Sequence, residues 1–225
     1  MRVRTQKPSV PDSTIYEGAQ PVDNEFWISQ SGSIDRLKIR ESIGGGGKIF
    51  LAVGQLIARK GFDLFSNAWG RLPEQLKKDN RVVIVGSGEA ERVLRGIAVE
   101  AGIPNILFVG QQEPCDLASF YAAADVLVFP SLVDVWGMVV NEAMACGVPV
   151  LASRYAGASQ ELIDGTGAGE VIDPLDEEAF SKALERWCSA DLSTMRTRAR
   201  EVIEGCNFNV TVNAIRRLIQ DLTDK

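Results

Sequence analysis

The 225-residue sequence contains no histidine. No Ser-His-Asp or Cys-His nucleophile can therefore be assembled from this chain alone, nor any His-ligated metal site. Cysteine is scarce: Cys115, Cys146, Cys188 and Cys206 are widely spaced and form no Cys-x-x-Cys pair. That spacing excludes a zinc framework and argues against a disulfide scaffold, so the four read as small apolar residues in a reducing compartment. Long apolar runs are missing too. The two longest, 122–133 and 138–152, are broken by Asp125, Pro130, Asn141, Glu142 and Pro149, and neither spans a bilayer. The first twenty residues are polar and proline-bearing, without the apolar centre of a signal peptide. Positive charge is also short: 24 bases face 30 acids for a net charge of −6, which disfavours a nucleic-acid partner. The chemistry must rest on carboxylates, lysine, arginine and backbone amides.

What is present is a globular composition, 45% hydrophobic and 24% charged, on a chain long enough to bury a full core. Residues 1–47 carry Pro8, Pro11, Pro21, a Ser31-Gly32-Ser33 turn and four glycines at 44–47, with no sustained apolar period. They read as a linker or strap with one short helix around 34–42. From Lys48 onward, short apolar runs alternate with helical periods. Residues 48–53, 81–85, 106–109, 126–129 and 148–152 read as buried parallel strands, with a weaker sixth at 169–172. Helices are expected at 62–72, 89–101, 114–123, 137–146 and 158–163, then at 177–189, 192–205 and 211–223. The pattern predicts a doubly wound, Rossmann-like α/β fold: a parallel sheet with helices on both faces and a C-terminal helical tail. Its divisions are a strap at 1–47, the α/β domain at 48–205 and a terminal helix at 206–225.

In such sheets ligands bind beyond the carboxyl ends of the strands. The glycines at 44–47 precede a strand and Ile49 follows Lys48, so they do not form a Walker loop. Gly86-Ser87-Gly88 does follow a strand and open a helix, but Glu91 stands where a dinucleotide fingerprint needs its third glycine. This disfavours a nicotinamide site and leaves the turn either structural or ligand-facing.

The segment 130–142, PSLVDVWGMVVNE, carries more. The free amides of Gly137, Met138 and Val139 at a helix start would form an anion site. Glu142, one turn after Met138, can present a carboxylate that accepts two hydrogen bonds from a vicinal diol such as a ribose. Asp134 could receive another hydroxylated group. The alternative is that Asp134 caps the helix and Glu142 merely complements its dipole. In the loop 54–61, Arg59 and Lys60 follow the first strand and would lie over the same cleft. Two cations there suit a diphosphate, although such a pair is also common in solvated loops.

Taken in order and spacing, VGQLIARKG (53–61), VIVGSGEAER (83–92), YAAADVLVFPS (121–131), VWGMVVNEAMACGVPVLAS (135–153) and AGASQELI (156–163) resemble the donor-binding half of a retaining glycosyltransferase of family 4, with the GT-B fold. The similarity covers about residues 49–205, and PVDNEFW (21–27) resembles the linker that precedes this half. The resemblance implies that Lys60 binds the donor diphosphate, with Gly54, Gln55 and Arg59 beside it. It implies that Gly86 and Gly88 admit the nucleotide closely, and that Gly110, Gln111 and Gln112 meet the base. Amides of Gly137, Met138 and Val139 would hold sugar or phosphate oxygens. Asp134 would contact the transferred sugar, Asp134 and Lys60 would be the catalytic residues, and Glu142 would hold the ribose hydroxyls. The sequence departs from the family at Gln55, where an arginine is usual, and at Asp134, one methylene shorter than the usual glutamate.

By the same resemblance the donor is a UDP-, GDP- or ADP-hexose, used without a metal or other cofactor. The acceptor is a glycan or a lipid-linked molecule in polysaccharide biosynthesis. Residues 1–47 would then include the remnant of an N-terminal acceptor domain, which is supplied in cis or as a separate chain. The implied setting is cytoplasmic, with peripheral attachment at the inner membrane face through a partner or acceptor. Two alternatives stand beside this reading: a non-catalytic nucleotide-sugar-binding module or regulatory subunit, and a generic α/β nucleotide-binding enzyme such as a sugar-nucleotide epimerase.

Overall fold

The computed structural model describes residues 16–224, so the first fifteen residues of the expected strap lie outside the described residues. Six parallel strands form one sheet: β1 (Ile49–Val53), β2 (Arg81–Val85), β3 (Ile106–Gly110), β4 (Val126–Phe129), β5 (Val150–Ser153) and β6 (Gly169–Ile172). Their spatial order is β3-β2-β1-β4-β5-β6. Every residue of β1, β4 and β5 is buried, as strands covered on both faces require, whereas the edge strand β3 is half-buried throughout. The chain leaves β1 toward β2 and β3 on one side, then returns to place β4 on the other. This puts the topological switch point, where ligands of such sheets bind, between β1 and β4.

The helices, in chain order, begin with α1 (Asn24–Gly32), α2 (Arg36–Ser42), α3 (Phe62–Gly70), α4 (Glu74–Asp79) and α5 (Glu91–Glu100). They continue with α6 (Pro114–Ala123), α7 (Met138–Ala145), α8 (Glu177–Ser189), α9 (Ser193–Glu204) and α10 (Phe208–Thr223). Alternate strand residues point to opposite faces. Phe50, Ala52, Ile84, Val128 and Leu151 pack under α3, α5 and α8. Leu51, Val53, Val83, Leu127 and Phe129 face the opposite layer, built from α1, α2, α6, α7 and α9. No helix among the described residues is long and apolar enough to cross a membrane.

The stretch expected to hold one short helix holds two. Asp23 caps α1 by accepting from the Phe26 amide, and Asp35 caps α2 by accepting from Leu37 and Lys38. Trp27 of α1 is buried edge-on against Tyr121 of α6, with ring centroids 5.5 Å apart. A second anchor is Asp125, just before β4. It receives Arg36 at 2.5 Å, Arg40 at 2.7 Å, Arg196 at 3.1 Å and the Ile49 amide at 2.9 Å. One carboxylate thereby ties α2, β1, β4 and α9 together at the amino end of the sheet. Three further differences are local. The helix α4 after Pro73 was not expected, the stretch at 158–163 is a single π-helical turn (Ser159–Ile163), and α10 starts earlier because Asn207 caps it.

Candidate functional site

The loops after β1, β2, β3, β4 and β5 meet at the carboxyl end of the sheet, and backbone hydrogen bonds join the first three. The Gly54 amide donates to the Val85 carbonyl, Leu56 to Ser87, Ala90 to Leu56 and Gly86 to Gly110. The glycines in this run are dictated by the protein itself. A Cβ on Gly86 would stand 1.9 Å from the Gly54 carbonyl oxygen, and one on Gly88 would stand 2.4 Å from that of Leu56. The close approach these glycines permit is therefore loop against loop. Gly110, by contrast, would point a Cβ into open space, and Gln111 beside it is exposed, its side chain 3.4 Å from the Ser87 hydroxyl. Gln112 folds back, donating to the Gln111 carbonyl.

The loop after β1 supplies the cation. Residues Ala58–Lys60 form one 3-10 turn closed by Gly61, whose φ of +67° and 2.3 Å approach to the Pro130 carbonyl oxygen admit only glycine. This turn is clamped to the loop after β4: the Arg59 carbonyl accepts from the Leu132 amide at 2.8 Å and from the Ser131 hydroxyl at 3.2 Å. Lys60 then reaches across to Asp134 at 2.5 Å, its ammonium 5.6 Å from the centre of the Phe129 ring. Both partners are about one-seventh exposed, at 15% and 16%. Arg59 does not join them; its guanidinium donates to the Val133 carbonyl at 3.1 Å on the exposed side of the loop. Gln55 is exposed.

Helix α7 begins at this point without a side-chain cap. Asp134, three residues before the Gly137 N-cap, spends one oxygen on Lys60 and accepts from the Trp136 amide at 3.3 Å with the other. The first-turn amides of α7 are thereby left for an anion. Gly137 opens the helix at φ +102°, with a hypothetical Cβ only 2.6 Å from the Phe129 ring, so the loop can lie flat on the strand end. Met138 is exposed and Val139 half-buried.

Glu142 lies one turn further along α7. Its Oε2 accepts from the Tyr121 hydroxyl at 2.8 Å, and burial raises its pKa above the usual carboxylate value despite that hydrogen bond. Burial pushes the Tyr121 phenol well above its ordinary range, so the hydroxyl remains a donor.

The structure brings Lys60 to Asp134 in the loop that leads into α7, and Glu142 lies one turn into that helix. Two participants were not singled out in advance. Tyr121 holds Glu142, and the fully buried Asn141 joins Trp136 (2.8 Å) to the Gln20 carbonyl (3.0 Å). The signal for both is a polar atom in an apolar stretch, since a buried hydroxyl or amide requires a partner. An open polar hollow of about 430 Å³ lies elsewhere, lined by Gly44, Gly46, Lys78, Arg81 and neighbours, and includes none of these residues. Among the described residues no cluster of three cysteine or carboxylate side chains could hold a metal ion.

The paired lysine and the uncapped helix amides stand at the switch point of a doubly wound α/β sheet. Residues 33–203 match the family of glycosyl transferases group 1, and the chain belongs to that family. It is similar to D-inositol 3-phosphate glycosyltransferase of Acidothermus cellulolyticus, 32% identical over 176 residues, covering 74% of this chain and 39% of the relative. It is likewise 32% identical over 160 residues to a GDP-mannose-dependent α-(1-6)-phosphatidylinositol monomannoside mannosyltransferase of Mycolicibacterium smegmatis, covering 66% and 41%. The solved structure of WaaG, a glycosyltransferase involved in lipopolysaccharide biosynthesis, superposes with a TM-score of 0.71 at 27% identity, over 84% of this chain and 51% of that one. The chain thus spans about two fifths of the length of those two curated relatives, and its sheet is the Rossmann-like half of a GT-B fold.

Proposed function

We propose that this chain is the donor-binding half of a retaining glycosyltransferase, holding a nucleotide hexose for transfer to a glycan or lipid-linked acceptor. The observation that carries the reading is the Lys60–Asp134 pair, standing three residues before the uncapped start of α7 at the switch point. In the transfer, the bond from the anomeric carbon to the diphosphate oxygen breaks and a bond to the acceptor oxygen forms. The acceptor hydroxyl gives its proton to the departing diphosphate oxygen, and negative charge gathers on the diphosphate as the bond breaks. Lys60 and the amides of Gly137, Met138 and Val139 stabilise that charge, with Arg59 in reserve on the adjoining turn, so the reading requires no metal. One such preorganised donor is worth roughly 10²–10³ in rate. Asp134 receives a hydroxyl of the transferred sugar and Glu142 the ribose diol. The loops at Gly86–Gly88 and Gly110–Gln112 flank the base. The acceptor half of the GT-B pair comes in cis or from another chain. The relatives support a hexose donor and a lipid-linked acceptor, since one is named for GDP-mannose and phosphatidylinositol monomannoside.

Thermal denaturation with UDP, GDP and ADP and their hexoses tests the reading. A ligand at about a hundred times its Kd stabilises the fold by about 2.7 kcal/mol. Lys60→Ala and Glu142→Ala are each expected to reduce that stabilisation, a tenfold loss of affinity halving it, and retention of the full shift in both variants overturns the site.

One observation favours a second reading, a nucleotide-sugar-binding module without turnover. Arg59, the second cation of the loop after β1, is engaged at the Val133 carbonyl and does not join Lys60. Release of sugar or transfer from a labelled donor, with the acceptor half supplied, separates the two readings.

A further inference from the structure

Tyr121 is fully buried, and its ring is fixed edge-on by Trp27 of α1. Among the described residues its hydroxyl has one partner, Oε2 of Glu142 at 2.8 Å. The other carboxylate oxygen, Oε1, takes no hydrogen bond among the described residues, yet it is not one of the polar atoms sealed from solvent without a partner. A glutamate side chain has three rotatable bonds, and holding one oxygen removes most of that freedom. We propose that Tyr121 is a positioning residue for nucleotide recognition: by occupying Oε2 it aims Oε1 at the cleft and makes it the acceptor for the ribose diol.

The inference rests on the nucleotide-sugar reading and deepens it. It also explains why a tyrosine stands in an alanine-rich helix at a position where phenylalanine would satisfy the packing against Trp27. A buried hydroxyl without a partner is destabilising, so the hydroxyl and the carboxylate belong to one device. The fixed donor also favours the ionised carboxylate, the form able to accept from both hydroxyls of a diol.

The test measures, by titration calorimetry, binding of whichever of UDP, GDP or ADP binds best, against its 2′,3′-dideoxy counterpart. The intact protein is expected to prefer the ribonucleotide by about tenfold or more, as hydrogen bonds to a charged group imply. In Tyr121→Phe the preference is expected to fall to about twofold while affinity for the dideoxy ligand is unchanged. Urea denaturation establishes that the variant is folded. The double variant Tyr121→Phe/Glu142→Ala is expected to discriminate no worse than Glu142→Ala alone, because both changes act through the same carboxylate.

A full ribose preference in Tyr121→Phe, with loss in Glu142→Ala, overturns the positioning role and leaves the nucleotide reading standing. An equal fall for both ligands in Tyr121→Phe overturns it in favour of a structural role. Absence of any preference in the intact protein, with Glu142→Ala unchanged, overturns the underlying reading itself.

Discussion

Lys60 and Asp134, 74 residues apart in the chain, form an ion pair of 2.5 Å that joins the loop after β1 to the loop after β4 across the switch point of the sheet. The pair has two consequences. It fixes the two loops relative to each other, and it places a carboxylate on the ammonium that a diphosphate would otherwise hold. On the proposed reading Asp134 would both neighbour the transferred sugar and compete for the cation that holds the diphosphate.

Asp134→Asn removes the competitor and leaves Lys60 without its charge partner. Breaking a fully buried pair costs about 3–5 kcal/mol, and the partial exposure here reduces that to about 1–2 kcal/mol. Urea denaturation of the free protein is expected to show that loss. Affinity for a nucleoside diphosphate is expected to rise severalfold, more at low salt than at high. A fall in diphosphate affinity in this variant rules out the competition.

The carboxyl of Glu142 titrates above the ordinary glutamate value because burial disfavours its charge. A folded-state pKa above the unfolded one contributes stability that is fully present below the unfolded pKa and is lost as pH rises through the folded one. Glu142→Gln keeps an acceptor for Tyr121 and removes the buried charge, so its denaturation midpoint at pH 7 is expected to exceed that of the parent, the difference vanishing in acid. Nucleotide binding runs the opposite way. It needs the carboxylate, and in the parent it is expected to weaken as pH falls through the raised pKa, whereas in Glu142→Gln it is weak and flat. A parent binding curve that does not change between pH 4 and 7 contradicts this.

Burial alone would raise the Asp125 pKa, but the Arg40 hydrogen bond, the Ile49 amide and the charges of Arg40 and Arg36 together hold it below the usual carboxylate value. Its contribution to stability is therefore present above the unfolded pKa and is lost as pH falls through the folded one. Asp125→Asn leaves three guanidinium groups gathered without a carboxylate and is expected to lower stability by about 3 kcal/mol at neutral pH. The same change should release α2, which limited proteolysis would register as faster cleavage in 16–47. Unchanged acid denaturation in this variant means the cluster contributes nothing.

Gly86→Ala drives a methyl group into the Gly54 carbonyl oxygen at a backbone φ of +140°. The expected loss is roughly 2–4 kcal/mol, visible in the urea midpoint without any ligand. Gly110→Ala meets no neighbour but carries φ +85°, so a smaller loss is expected from backbone strain alone. A larger effect at Gly110 than at Gly86 contradicts the assignment of loop-on-loop packing.

Much of the fold was legible because its signals are local. A strand buried on both faces must be apolar at successive residues, and IFLAV, VVIV (82–85) and VLVF satisfy that requirement without reference to anything distant. Helix α1 was not legible, for a definite reason. Phe26, Trp27 and Ile28 are consecutive, so they show no helical period, and the helix is held by the Asp23 cap and by burial of Trp27 against a residue 94 positions away. The cap of α10 was likewise missed, because an asparagine signals a helix start only once the following residues turn.

The sequence by itself determined the alternation of strand and helix and the residue types available to the strand-end loops, because burial within each element follows from a few neighbouring residues. Only the tertiary structure decided how those residues act on one another. It paired Asp134 with Lys60 rather than with the start of α7, left Arg59 on the Val133 carbonyl, and turned one oxygen of Glu142 to Tyr121. Charge pairing and hydrogen bonding across loops depend on distances of a few ångströms between residues far apart in the chain. Those distances are set by the closure of the sheet between β1 and β4 and not by any local pattern.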